Sequence, residues 1–159
     1  MPVNASQFRT ALSRFASGVT VVTTRDAAGQ PHGITVSAFS SLSLDPPLVL
    51  VCIDRGAYIY EAFQASGVFV VNVLTADQEE LSRLFASREP NKFEGLGYTE
   101  GSVSAPVLNH ALATIECRLR HTYEGGDHTI FVGEVEHANV REDTPPLLYY
   151  RGGYATIKQ

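Results

Sequence analysis

Residues Ala113–His121 alternate in character without a fault. Ala113, Ile115, Cys117 and Leu119 fall on one side, and Thr114, Glu116, Arg118 and Arg120 on the other. A period of two marks a half-exposed antiparallel strand. Gly125-Gly126 then supplies a turn, and Thr129–His137 reads as the partner strand. Other segments extend the pattern. Val19–Thr24 is β-branched throughout, Asp26–Gly29 is a turn, and Pro31–Ser37 resumes the strand, which together read as a hairpin. Leu48–Ile53 is an unbroken apolar run, as expected of a strand covered on both faces, and Val68–Leu74 is another, interrupted only by Asn72. Pro145–Tyr150 and Tyr154–Ile157 read as short closing strands, and Leu42–Pro47, with two prolines, as an extended connection.

Helical signals are fewer. Phe8, Leu12 and Phe15 recur at i, i+4 and i+7 within 4–16, where Asn4 or Ser6 caps and Gly18 stops the run. Ala57–Ala65 reads as a short helix ended near Gly67. Thr75 with Gln78 fits a capping box ahead of a helix bearing Leu81, Leu84 and Phe85 and ending near Ala86. Residues 87–110, rich in Gly, Pro and Asn, read as a long loop. Six to eight strands that seldom alternate with two or three helices favour a closed antiparallel barrel with peripheral helices over a doubly wound sheet.

Length and charge narrow the function. A chain of 159 residues suits one domain, 1–159, with no space for separate cofactor and substrate domains. The net charge of −5, without a basic run, lacks a nucleic-acid footprint. No apolar run approaches the roughly 18 residues of a membrane span. The N-terminus carries Asn4, Ser6, Gln7, Arg9 and Arg14 in place of a signal-peptide core, so the cytoplasm is the expected location. Cys52 and Cys117 lie in strand-like runs and read as buried reduced thiols. Gly95-Leu-Gly97 lacks the preceding strand and third glycine of a dinucleotide turn. Neither a Walker A loop nor a nucleophile elbow is present, and the five histidines are scattered, so no metal site is expected.

One cluster stands out. Five hydroxyls, at Thr35, Ser37, Ser40, Ser41 and Ser43, fall within nine residues of a β-rich region. A decorated edge strand accounts for them. So does a ligand cradle, in which small side chains admit a planar ring, backbone N–H groups meet its carbonyls and hydroxyls meet a phosphate.

The runs Phe15–Thr24, Gly33–Ser41 and Ser43–Val49, followed in order by Phe69–Leu74, Leu84–Ala86, Lys92-Phe93, His128–Val135 and Leu147–Tyr154, resemble the short-chain flavin reductase family, the reductase components of two-component flavin monooxygenases. The resemblance spans nearly the whole chain. It implies a flavin-binding split barrel of antiparallel Greek-key type that forms homodimers. It also implies reduction of free FMN or FAD by NADH or NADPH, with reduced flavin diffusing to a separate monooxygenase. Thr35, Val36, Ser37 and Ala38 match the segment along the isoalloxazine ring, and Ser40 and Ser41 the phosphate-side hydroxyls. Cys52, Ile53, Asp54 and Arg55 match the strand end at the ligand, with Arg55 as a phosphate donor. Phe85 is implied as a wall of the ring, with core packing at its helical spacing as the alternative, and Lys92 as a second phosphate contact, with ordinary solvation as the alternative. His128 and Tyr154 match nicotinamide-side positions. The resemblance assigns the chemistry to hydride transfer onto flavin N5, with no protein acid or base. A barrel holding FMN tightly, as an electron carrier or oxidase, and a non-enzymatic barrel for an apolar ligand are the alternatives; five hydroxyls disfavour the latter.

Overall fold

The computed structural model describes residues 2–158. A mainly antiparallel β architecture carries three α-helices. Its principal sheet has seven strands in the order β3-β2-β6-β9-β10-β5-β4: β3 (Pro31–Val36), β2 (Thr20–Arg25), β6 (Val68–Val73), β9 (Ala113–Gly125), β10 (His128–Val140), β5 (Leu48–Asp54) and β4 (Phe39–Ser43). The two edge strands are neighbours in sequence, because β3 ends at Val36 and β4 begins at Phe39. A chain that joins opposite edges through two residues brings the end of one edge strand beside the start of the other, so the sheet curls.

Curling leaves an apolar interior. Val22, Val51, Ile53, Phe69, Val71 and Phe131 fill it, all essentially inaccessible. Helix α2 (Tyr60–Ser66) drives Phe63 into this core, where its ring lies 4.7 Å from Phe69 and 4.6 Å from Phe131. Gly67 ends α2 at φ 68°, a left-handed conformation suited to glycine. Gly133 on β10 permits close packing: a Cβ there would lie 2.5 Å from Phe69 Cζ.

Several sequence expectations are corrected. The first helix, α1, spans only Ala5–Leu12. Asn4 and Gln7 form the reciprocal capping box, and turns at Ser13 and Arg14 end the helix well before Gly18. Its apolar stripe does not enter the core: Phe8, Leu12 and Phe15 are 57%, 54% and 80% exposed. In β5, burial alternates; Val49, Val51 and Ile53 are buried, while Leu48, Leu50 and Cys52 are half-buried. Residues 42–47 are not a plain extended link, since β4 reaches Ser43 and turns follow.

The expected loop 87–110 contains a small sheet, β7 (Tyr98–Glu100) with β8 (Pro106–Leu108). It covers the polar side of β9. Thr114 and Glu116, expected to be wet, are therefore buried, and Glu116 accepts the Val103 N–H. Asn72 pins the same flap, accepting from the Leu108 N–H and donating to the Val21 carbonyl and Thr23 hydroxyl. Among the described residues the strands number twelve, more than six to eight, because short pairings such as β7–β8 leave too weak a pattern to read.

Helix α3 (Glu79–Ala86) follows a 3-10 turn, Ala76–Gln78, with the Thr75–Gln78 capping box in place. It packs on β3. The three-stranded sheet β1 (Ser17–Gly18), β11 (Leu148–Tyr150) and β12 (Gly153–Ala155) lies beyond it.

Candidate ligand cradle at the edge of the main sheet

Two cavities flank the end of β3 and share Thr35 and Ser37 as a wall. The first, about 210 Å³, is lined by Ile34 to Ala38, by Cys52, Ile53 and Asp54 at the end of β5, and by His128. Strand pairing explains the convergence: β5 and β10 run antiparallel with Asp54 opposite His128. Between β3 and β4 the Ser37 carbonyl accepts the Phe39 N–H and the Ala38 carbonyl accepts the Cys52 N–H, at 2.9 and 3.0 Å. This two-residue link leaves Ser37 and Ala38 exposed. Among the described residues their own N–H groups have no hydrogen-bond partner. Two adjacent free donors beside small side chains suit the carbonyl edge of a planar ring.

The second cavity, about 270 Å³, is bounded by Val19, Thr35, Ser37, Ser82, Ala86, Tyr149 and Tyr154. Ser82 on α3 organises it. Its carbonyl accepts the Thr35 hydroxyl at 2.6 Å, and its hydroxyl shares a 2.7 Å hydrogen bond with the Tyr154 hydroxyl. Arg83 stacks over the Tyr154 ring, 4.9 Å from its centroid. Ser82 is wholly buried and was missed in the sequence, where a lone serine on a helix carries no signal.

Eight of the residues singled out in the sequence thus line the first cavity: Thr35, Val36, Ser37, Ala38, Cys52, Ile53, Asp54 and His128. Tyr154 lines the second, so His128 and Tyr154 stand on different sides of the Thr35–Ser37 wall. Thr35 spends its hydroxyl proton on the Ser82 carbonyl, which leaves it only acceptor capacity on that side chain, besides its backbone. Burial pushes the Cys52 thiol pKa up, and both cysteines are free.

The other five residues lie outside both linings. Ser40 and Ser41 are exposed on β4, and the Ser40 hydroxyl donates to the Ser41 carbonyl. Arg55 follows the last residue of β5, with its guanidinium 3.3 Å from Glu124. Phe85 is fully buried. Its ring packs edge-on to Phe93, and Gly33 makes space for it, since a Cβ at that position would lie 2.6 Å from Phe85 Cε1. Phe85 is core in this fold. Lys92 is half-buried, its Nζ 3.5 Å from the Phe85 carbonyl, and burial lowers its pKa.

Comparison with known proteins agrees with this arrangement. Residues 12–158 match the flavin reductase like domain. The chain belongs to that family. It is 40% identical over 156 residues to the reductase subunit HsaB of a flavin-dependent monooxygenase from Rhodococcus jostii, covering 98% of this chain and 80% of that protein. It is 44% identical over 150 residues to the reductase component of 4-hydroxyphenylacetate 3-monooxygenase from Thermus thermophilus, covering 94% and 95% respectively. Among solved structures, the NADH:FAD oxidoreductase SgcE6 of Streptomyces globisporus, in complex with NAD and FAD fragments, superposes with a TM-score of 0.91 at 36% identity, covering 99% of this chain and 97% of that one. The family likeness thus includes the whole cradle. Among the described residues no helix is long and apolar enough to cross a membrane.

Proposed function

We propose that this chain is an NAD(P)H-dependent flavin reductase that supplies reduced FMN or FAD to a separate monooxygenase. One observation carries the reading on the structural side: the exposed link Ser37-Ala38, which lines the first cavity and whose two N–H groups have no partner among the described residues. A bound flavin would supply the redox chemistry, accepting a hydride from the nicotinamide. The protein's part is to bind, orient and exclude water. Backbone donors at residues 37 and 38 meet the carbonyl edge of the ring, where negative charge develops on reduction. Cys52 and Ile53 give the apolar floor. His128 donates or accepts from the rim, its Nδ1 held 2.7 Å from Asp127. That contact also draws the Asp127 pKa below its usual value.

Each cavity alone is smaller than the roughly 300–1,000 Å³ of a typical ligand site. A flavin therefore straddles the β3 edge or shares its site with a second copy of the chain. The exposed apolar face of α1 supports a homodimer: an eight-residue helix with no buried residue gains little stability in water by itself. The joined sheet edges support a split barrel, read here as one domain spanning 1–159. Two free thiols fit a reducing compartment such as the cytoplasm.

The test is NADH and NADPH oxidation with and without added FMN, FAD or riboflavin. A pale protein that needs added flavin is the expected result, and a yellow protein that keeps its flavin on dialysis refutes exchange. His128→Ala is expected to raise the KM for NADH more than that for flavin. An unchanged NADH KM removes His128 from the site.

A further inference from the structure

Ionisable side chains gather where the β5 end and the β9–β10 turn meet, beside the first cavity. Asp54 ends β5, and Arg55 follows it. The Arg55 N–H donates to the Asp127 carbonyl at 3.0 Å, which ties the β5 end to the turn between β9 and β10. On the other side of that turn Glu124 pairs with Thr129, one step from the His128–Gly125 pair. Glu124 thereby reaches the Arg55 guanidinium, Oε1 to Nη2 at 3.3 Å. The His128 ring at the same rim has its Nδ1 2.7 Å from Asp127 Oδ1. Arg55 and His128 thus each already have an acidic partner.

We infer that Glu124 is a gate on Arg55: it occupies the guanidinium in the free protein, so that a phosphate-bearing flavin engages Arg55 only by displacing a carboxylate. The inference rests on the flavin reductase reading and on Arg55 as the phosphate contact. The pair is built to yield. Its contact is single and not forked, and the two side chains are 44% and 90% exposed. A phosphate dianion carries more charge than a carboxylate and accepts the same fork of donors. Competition with Glu124 lowers phosphate affinity without abolishing it. Weak binding suits a protein whose product must leave for another enzyme.

Titration of FMN and of riboflavin by flavin fluorescence tests the gate in the full-length wild type, Glu124→Gln, Arg55→Gln and the double variant. Glu124→Gln is expected to tighten FMN by roughly two- to five-fold, the range for an exposed ion pair, and to leave riboflavin unchanged. Arg55→Gln is expected to weaken FMN alone, and Glu124→Gln is expected to add nothing in that background. Raising salt to about 1 M, where the screening length falls to about 3 Å, should erase the gain. If Glu124→Gln leaves FMN unchanged while Arg55→Gln weakens it, the gate is wrong and the phosphate contact stands. If Arg55→Gln leaves FMN unchanged, both are wrong, while flavin-dependent NADH oxidation by the wild type still tests the reductase reading separately.

Discussion

Phe85 separates two readings that the sequence leaves together. As a wall of the flavin ring it would govern ligand affinity; as core it governs stability. The structure places it at 0% exposure, edge-on to Phe93 at 5.2 Å and against the bare Cα of Gly33. Phe85→Ala removes a ring from a site with no solvent access, so a cavity remains between α3 and β3. Such truncations cost about 3–5 kcal/mol. For a chain of this length each kcal/mol lowers Tm by about 2–4 °C, so a drop of roughly 6–20 °C is expected in a thermal melt followed by circular dichroism. Flavin KM, measured well below the melting range, is expected to change far less. A variant that melts within about 2 °C of the wild type but raises flavin KM more than about tenfold would refute the core assignment. Gly33→Ala probes the same contact from the other side: the added methyl pushes on the ring, with an overpacking cost of about 1–3 kcal/mol.

Further predictions concern the polar fittings around the cradle. Ser82→Ala and Tyr154→Phe each remove the hydrogen bond that closes the second cavity, at about 1 kcal/mol. The double variant should lose no more than the worse single one in urea denaturation, and full additivity would contradict a shared bond. Thiol labelling of the native protein at pH 8 is expected to be slow at Cys52, whose pKa burial raises, and absent at Cys117, pushed up to about 12 by burial and by nearby Glu116 and Glu136. Saturating FMN should protect Cys52, and equal labelling with and without flavin would place the ring elsewhere. Asp26 has its pKa lowered, first by the hydrogen bond to His32, then by the Gln30 N–H. A lowered folded-state pKa gives stability that is present above the unfolded value, about 3.9, and is lost as pH falls through the folded one. The urea midpoint of Asp26→Asn should thus lie below that of the wild type at pH 7, and the gap should narrow as the pH falls below the unfolded value toward the lowered folded one. A gap that stays constant throughout an acid titration would sink that account.

Much of the fold is legible in local pattern. The hairpin around Gly125-Gly126, the apolar run Val68–Leu74, the capping box at Thr75 and the Asn4 cap, one of two candidates, appear where side-chain period and cap chemistry put them. The cradle segment is legible for a different reason. Thr35 to Ala38 is a run of small and hydroxylic residues in the midst of strand sequence, and eight of the site residues implied by family likeness meet around it.

What could not be read depends on what lands on what. Glu116 and Thr114 share a polar periodicity with Arg118 and Arg120, yet the first two are buried because the 98–108 flap closes over that half of β9. Phe8, Leu12 and Phe15 have the spacing of a core helix and remain exposed, since nothing within the described chain packs on them. Phe85 and Ser82 sit three residues apart on one short helix, one as core and one as the pin between Thr35 and Tyr154. The sequence by itself determined the antiparallel β class, the cradle segment and the family. Tertiary structure alone decided which side chains line the cavities and which face the core. Periodicity reports that a face is apolar or polar, while contacts with other segments of the chain decide whether that face is covered.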